Sequence, residues 1–119
     1  MNIKSLSAGL TFRGNVTGRK QKYYVFEGKD AFFVFSFSRA KPKSGYFNFV
    51  RAEAVAYVQR LAGGEQGVTE QSLNKRTRKP KLVGSALEAL NILYVLVAIG
   101  SAKIDHRHKT RQLFFNIAE

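Results

Sequence analysis

Cysteine is absent from this chain of 119 residues, and so is tryptophan; there are one methionine, two histidines and two prolines. Without thiols neither a disulfide framework nor a thiolate metal site can form. That fits an intracellular compartment, cytoplasm or nucleoid, or the nucleus if the source is eukaryotic. His106 and His108, with Asp105 beside them, make a poor metal centre, because neighbours on a hairpin tip point to opposite faces. No glycine-rich phosphate loop or nucleophile elbow is present. Glu27 and Asp30 flank a turn with Lys29 between them and read as solvated carboxylates rather than a Mg²⁺ pair. The chain therefore reads as a non-enzyme that needs no cofactor. Long apolar runs are also missing: the longest, Ile92–Ile99, falls far below the roughly 20 residues that span a bilayer. The opening MNIKSLSAGLTFRGN lacks the apolar core of a signal peptide and reads as mature sequence. No amphipathic helix sets Lys and Arg beside an apolar face, so no membrane partner is expected.

Acidic residues are scarce, eight against twenty Lys and Arg, for a formal net charge of +12. Such an excess raises the free energy of the compact state by self-repulsion and draws polyanions to the surface. Hydrophobic residues make up 45%, enough for a packed core. The length suits one compact unit, read here as a β-rich subdomain over residues 1–50 followed by a helical domain over residues 51–119.

The first segment reads as an antiparallel meander. Lys22–Glu27 and Ala31–Ser38 are aromatic and β-branched, and Gly28, Lys29 and Asp30 between them signal a hairpin. Phe33, Phe35 and Phe37 share one face, and Phe32, Val34, Ser36 and Ser38 the other, whose serine half looks the wetter. A basic turn, Arg39–Gly45, leads to a further strand at Tyr46–Val50, and an earlier strand is expected near Leu10–Val16. Tyr23, Tyr24, Phe33, Phe35, Tyr46, Phe47 and Phe49 interleave with Lys22, Lys29, Arg39, Lys41 and Lys43. Aromatics on an open sheet stack single-stranded bases while cations hold the backbone. A phenylalanine-rich strand more often buries its rings, so the Phe residues are expected in the core.

The second segment turns helical. Ala52–Leu61 sets Val55, Val58 and Ala62 on one face, with Tyr57 and Leu61 beside it, and Gly63-Gly64 ends it. Thr69 caps a short helix to about Asn74, with Ser72 where a capping box has Glu, so the box is incomplete. In Lys75–Lys81 five of seven residues are basic, and Pro80 stops regular structure. Lys75, Arg76, Arg78, Lys79 and Lys81 read as a phosphate-gripping loop; the rival is a solvated loop, and KRTR also matches a short nuclear import signal. Ser85 caps a third helix that runs through Ala98 and ends at Gly100, with Leu87, Leu90, Tyr94 and Val97 as its core stripe. Ser101–Asp105 and Arg111–Ile117 bracket His106–Thr110 as a hairpin with a positive tip.

Helix, short helix, basic segment, helix and hairpin form the order of a winged helix, and the last 65–70 residues resemble that superfamily. Gly67-Val68-Thr69-Glu70-Gln71-Ser72-Leu73 is similar to the entry of its second helix. Ala86-Leu87-Glu88-Ala89-Leu90 through Gly100 is similar to its third, and Ser101–Asp105 with Arg111–Ile117 to its wing. The resemblance implies an α+β chain, meander then winged helix, that binds nucleic acid, duplex DNA before RNA, as a regulator or targeting module, alone, as a homodimer or in a larger assembly. It implies that Lys81, Ser85, Glu88 and Asn91 face the groove and that His106, Arg107, His108, Lys109 and Arg111 form the wing contact. Ala89–Ile99 is almost wholly apolar, which shifts weight to the basic segment before it. The alternatives are single-stranded DNA or RNA on the aromatic sheet, and a protein-interaction domain using the same sheet.

Overall fold

A computed structural model of the chain describes residues 9–18, 21–37, 45–108, 110 and 112–119. Four strands come first, β1 (Thr11–Thr17), β2 (Lys22–Glu27), β3 (Ala31–Phe37) and β4 (Gly45–Arg51). They pair in sequence order as one antiparallel sheet, β1-β2-β3-β4. Between β2 and β3 the Gly28 amide donates to the Ala31 carbonyl at 2.8 Å, closing the hairpin that the Gly-Lys-Asp sequence signals. Three helices follow: α1 (Ala52–Ala62), α2 (Glu70–Arg76) and α3 (Ala86–Ala98). A two-stranded ribbon, β5 (Ala102–Ile104) with β6 (Phe115–Ile117), completes the chain. The α+β order, the antiparallel N-terminal sheet and the three helices agree with the expectation from sequence.

The helix ends show why each helix starts where it does. α1 has no side-chain cap; its Ala52 amide donates instead to the Asp30 carbonyl at 3.0 Å, which ties the helix to the β2–β3 turn. At α2 the capping box is complete, a correction to the reading above: Ser72 does the work of glutamate. Its amide donates to Thr69 Oγ1 and its hydroxyl accepts from the Thr69 amide, both at 3.0 Å. At α3 Ser85 Oγ accepts from the Glu88 amide at 3.1 Å. Gly100 closes α3 at φ +84°, a conformation that side chains with a Cβ resist.

Packing is organised by α3. It touches all four strands of the large sheet, α1, α2 and β5. Every residue from Ala89 to Leu96 is buried, so this helix is covered all round. The sheet meets it with Val16, Val25, Phe32, Val34 and Val50, and these join Val55, Val58, Leu73, Leu93, Tyr94, Phe115 and Ile117 in a single buried cluster. Residues 1–50 and 51–119 thus share a core. Leu113, Phe115 and Ile117 pack inward as their alternation predicts, with Phe115 fully buried. Among the described residues, no helix is long and apolar enough to cross a membrane.

Two expectations about faces fail. The serine-bearing side of β3 is the inner one: Ser36 is fully buried, and its Oγ takes a hydrogen bond from Gln21 Nε2 at 2.9 Å. Leu87 is not part of the core stripe but 63% exposed, because the first turn of α3 reaches the open margin beside β4.

Candidate nucleic-acid interface

The helices cover only one face of the four-stranded sheet, and strand alternation decides which side chains remain on the other. The register pairs Phe33 with Phe49 and Phe35 with Phe47 across β3 and β4, and Phe26 with Phe33 across β2 and β3. It also pairs Phe12 with Phe26 across β1 and β2. Phe12, Tyr24, Phe26, Phe33, Phe35, Phe47 and Phe49 therefore share the uncovered face. None belongs to the core cluster around α3. The rings organise one another: Phe33 stacks on Phe47 with centroids 5.4 Å apart and meets Phe49 edge-on at 5.7 Å, and Phe12 packs on Phe26 at 5.3 Å. Phe26 and Phe35 are buried within this layer, whereas Phe12, Phe47 and Phe49 stay 51%, 52% and 58% exposed. The expectation that the Phe residues would lie in the core is met only in burial by Phe35, which sits in the aromatic layer outside the core cluster, and fails for Phe47 and Phe49. Tyr23 lies on the covered side, stacked on Tyr94 at 4.4 Å, and Tyr46 is exposed at the start of β4. Sequence reasoning passed over Phe12 and Phe26, although Phe12 stands at strand spacing in TFRGN.

Around these rings stand cations. By register Lys22 and Arg51 lie on the aromatic face, at the start of β2 and the end of β4, and both are exposed. Arg51 lies 3.5 Å from Glu53, a loose pair in solvent. Lys29 is exposed in the β2–β3 turn.

The basic segment proves to be two structures. Lys75 and Arg76 belong to the last turn of α2, and only Thr77–Leu82 is loop. Arg76 is spoken for: both terminal nitrogens bond the Glu65 carboxylate, and Nη2 also reaches the Leu61 carbonyl at 3.1 Å. The hydrogen bonds from Arg76 hold the Glu65 carboxyl below its ordinary value and raise the guanidinium above its own. A residue predicted to grip phosphate is thus an intramolecular clasp. Thr77 Oγ1 and the Arg78 amide both donate to the Tyr57 hydroxyl at 3.2 Å, lowering its pKa, and Lys79 stands over the ring at 5.3 Å. Lys75, Arg78, Lys79 and Lys81 are exposed and have no carboxylate partner among the described residues. Lys81 shares a groove with Phe49 and Arg51, so the loop adjoins the edge of the aromatic sheet.

The predicted groove-reading set on α3 does not assemble. Asn91 is buried, 4% exposed, with Nδ2 donating to the Leu87 carbonyl at 3.0 Å. Glu88 turns its carboxylate back onto the Gly84 amide, and Ser85 is engaged as the cap. Within α3 only Leu87 and Glu88 are exposed, because the rest of the helix packs against the sheet, α1, α2 and β5. In the ribbon, Arg107 bonds the Asp105 carboxylate at 2.6 and 2.9 Å and gives it a backbone hydrogen bond at 3.1 Å. These bonds hold the Asp105 carboxyl well below the carboxylate range. His108 stacks on Phe114 at 3.9 Å and comes within 3.7 Å of the same carboxylate, while His106 is exposed. Lys109, Arg111, Arg39, Lys41 and Lys43 lie outside the described residues. Among the described residues, no group of His, Cys, Asp and Glu could hold a metal ion. Comparison with protein-family models, with curated proteins and with solved structures finds no match.

Proposed function

We propose that this protein binds single-stranded nucleic acid across the open aromatic face of its sheet, with phosphates held by Lys22, Arg51 and the Thr77–Leu82 loop. The observation that carries this reading is the Phe33–Phe47–Phe49 cluster, exposed on the uncovered side of a chain of charge +12. A layer of rings in water has no folding benefit that its exposed half could supply, whereas each ring stacked on a base contributes about 1–3 kcal/mol. Bases stack on faces, so the contact tolerates many sequences. Strand form is the discriminating variable, because paired bases offer no open face to the sheet.

A second reading keeps duplex DNA as the ligand and moves the contact to the ribbon and the basic loop. What supports the winged-helix kinship is the order α1, α2, α3, β5, β6, together with the pairing of Val68 and Phe115. Their amides and carbonyls exchange hydrogen bonds at 2.9 and 2.8 Å, setting the residue before the α2 cap against the last strand. Against it stand the burial of α3 and the internal engagement of Arg107.

A salt-dependent titration with one sequence as single-stranded DNA, single-stranded RNA and duplex DNA tests the proposal. Contacts from Lys22, Arg51, Arg78, Lys79 and Lys81 to about five phosphates give a log–log slope of about −3.5 on a single strand. Tighter binding of the duplex at every salt concentration overturns the aromatic face as the site and supports the second reading.

A further inference from the structure

The edge of the sheet presents a second site, which borders the proposed nucleic-acid face and shares Phe49, Arg51 and Lys81 with it. Among the described residues, β4 has a hydrogen-bonded neighbour on one side only. The opposite edge, β1, is broken by a bulge between Phe12 and Gly14 and carries the Arg13–Glu27 ion pair, features that discourage strand addition. β4 has no bulge, and its Arg51–Glu53 pair stands only at its last residue. It pairs with β3 without a register shift from Gly45 to Arg51, contains no proline, and leaves Tyr46, Phe47 and Phe49 exposed.

Alongside this edge runs a groove of about 440 Å³. Asn48–Arg51 form one wall, and the first two turns of α3 form the other, with Ser85, Leu87 and Asn91 facing in. Leu87 and Phe49, 63% and 58% exposed, give the groove apolar contacts between its polar residues. Asn91 adds a polar group to the lining, with its Nδ2 committed to the Leu87 carbonyl. The charged lining residues are Arg51, Lys81 and Glu88, and the Glu88 carboxylate is committed to the Gly84 amide. The groove therefore presents positive charge to an occupant.

We propose that β4 and this groove bind an extended acidic segment of a partner protein by strand addition. The segment's backbone pairs with the open edge of β4, and alternate apolar side chains settle between Phe49 and Leu87. The segment's carboxylates meet Lys81 and Arg51. A second copy of the chain is a poorer occupant: its own β4, GYFNFVR, offers no carboxylate, and each copy brings a charge of +12.

The test uses the whole chain and a labelled, end-blocked peptide of alternating valine and glutamate, seven residues long to match β4. Fluorescence anisotropy should show saturable binding that weakens at least about tenfold when lysine replaces glutamate. N-methylation of every second amide should abolish binding in one phase and spare it in the other, because only one edge of the peptide faces β4. Leu87→Asp, at an exposed position, should leave the melting curve unchanged and weaken the peptide at least about tenfold. Equal effects of the two methylation phases, or indifference to the peptide's charge, overturn the proposal. So does a dimer in sedimentation that Leu87→Asp dissociates, which gives the edge to a second copy. Loss of single-stranded DNA binding rather than peptide binding in Leu87→Asp also overturns it, giving the groove to nucleic acid.

Discussion

Replacing Phe47 and Phe49 together by alanine separates the two roles an aromatic ring can have on this sheet. Both rings are about half exposed, 52% and 58%, so each retains only about half the transfer free energy of a buried phenylalanine. Full burial contributes about 1.5–3 kcal/mol, so the double substitution should lower stability by about 2 kcal/mol. Stacking a base on each ring contributes about 1–3 kcal/mol, so affinity for a single strand should fall by about 2–6 kcal/mol, a loss of about thirtyfold or more. Anisotropy of a labelled single-stranded oligonucleotide measures the second quantity, and urea unfolding of the same preparation measures the first. The salt slope should stay near that of the parent chain, because no cation has been removed. Unchanged affinity beside a stability loss above about 4 kcal/mol would refute the reasoning, since the rings would then be structural.

Phe115→Ala makes the opposite case: its ring is fully buried, 6.2 Å from that of Tyr94, and its loss should lower stability by about 3–5 kcal/mol in the same urea assay. A loss below about 1.5 kcal/mol would show that the core around the ribbon is looser than its burial implies. Replacing Arg78, Lys79 and Lys81 by alanine should shallow the single-strand salt slope by about 2, from −0.7 per phosphate, with little effect on unfolding. Arg76→Ala should leave the slope unchanged and lower stability by about 0.2–1 kcal/mol through loss of the exposed Glu65 pair; a change in slope would mean that Arg76 does reach phosphate. The Asp105 carboxyl is held low by Arg107, so its contribution to stability is present above the ordinary aspartate pKa of about 4 and is lost as pH falls below it. Asp105→Asn should flatten the acid limb of the stability profile between about pH 4 and 2, and an unchanged limb would remove Asp105 as its cause.

The order of elements was legible because each carries a local signal. Strand alternation, the Gly-Lys-Asp turn, the Thr69 and Ser85 caps and the Gly100 stop all act within a few residues. Which face of the sheet the helices would cover was not legible. Alternation groups Phe33, Phe35, Phe47 and Phe49 together but does not say which side faces α3. Greater hydrophobicity argued for the phenylalanine side, yet α3 packs on the side of Val25, Val34, Val50 and Ser36. Short side chains there let a helix bearing Leu93 and Tyr94 come close. The single amide in Ala89–Ala98, Asn91, looked like a base reader for the same reason: sequence marks it as polar, and only tertiary packing shows it buried. Arg76 finds its partner Glu65 eleven residues away, a pairing that depends on how α1 and α2 meet. Arg107 and Asp105 are only two residues apart, and that clasp could have been anticipated.

Photocrosslinking of a 5-iodouracil-substituted single strand to the full chain, followed by peptide mapping, tests the central claim most directly. Adducts on Phe33, Phe47 or Phe49 are the predicted result, and excess unlabelled single strand should abolish them while duplex does not. Adducts confined to the β5–β6 ribbon would contradict the account and move the nucleic acid away from the aromatic face.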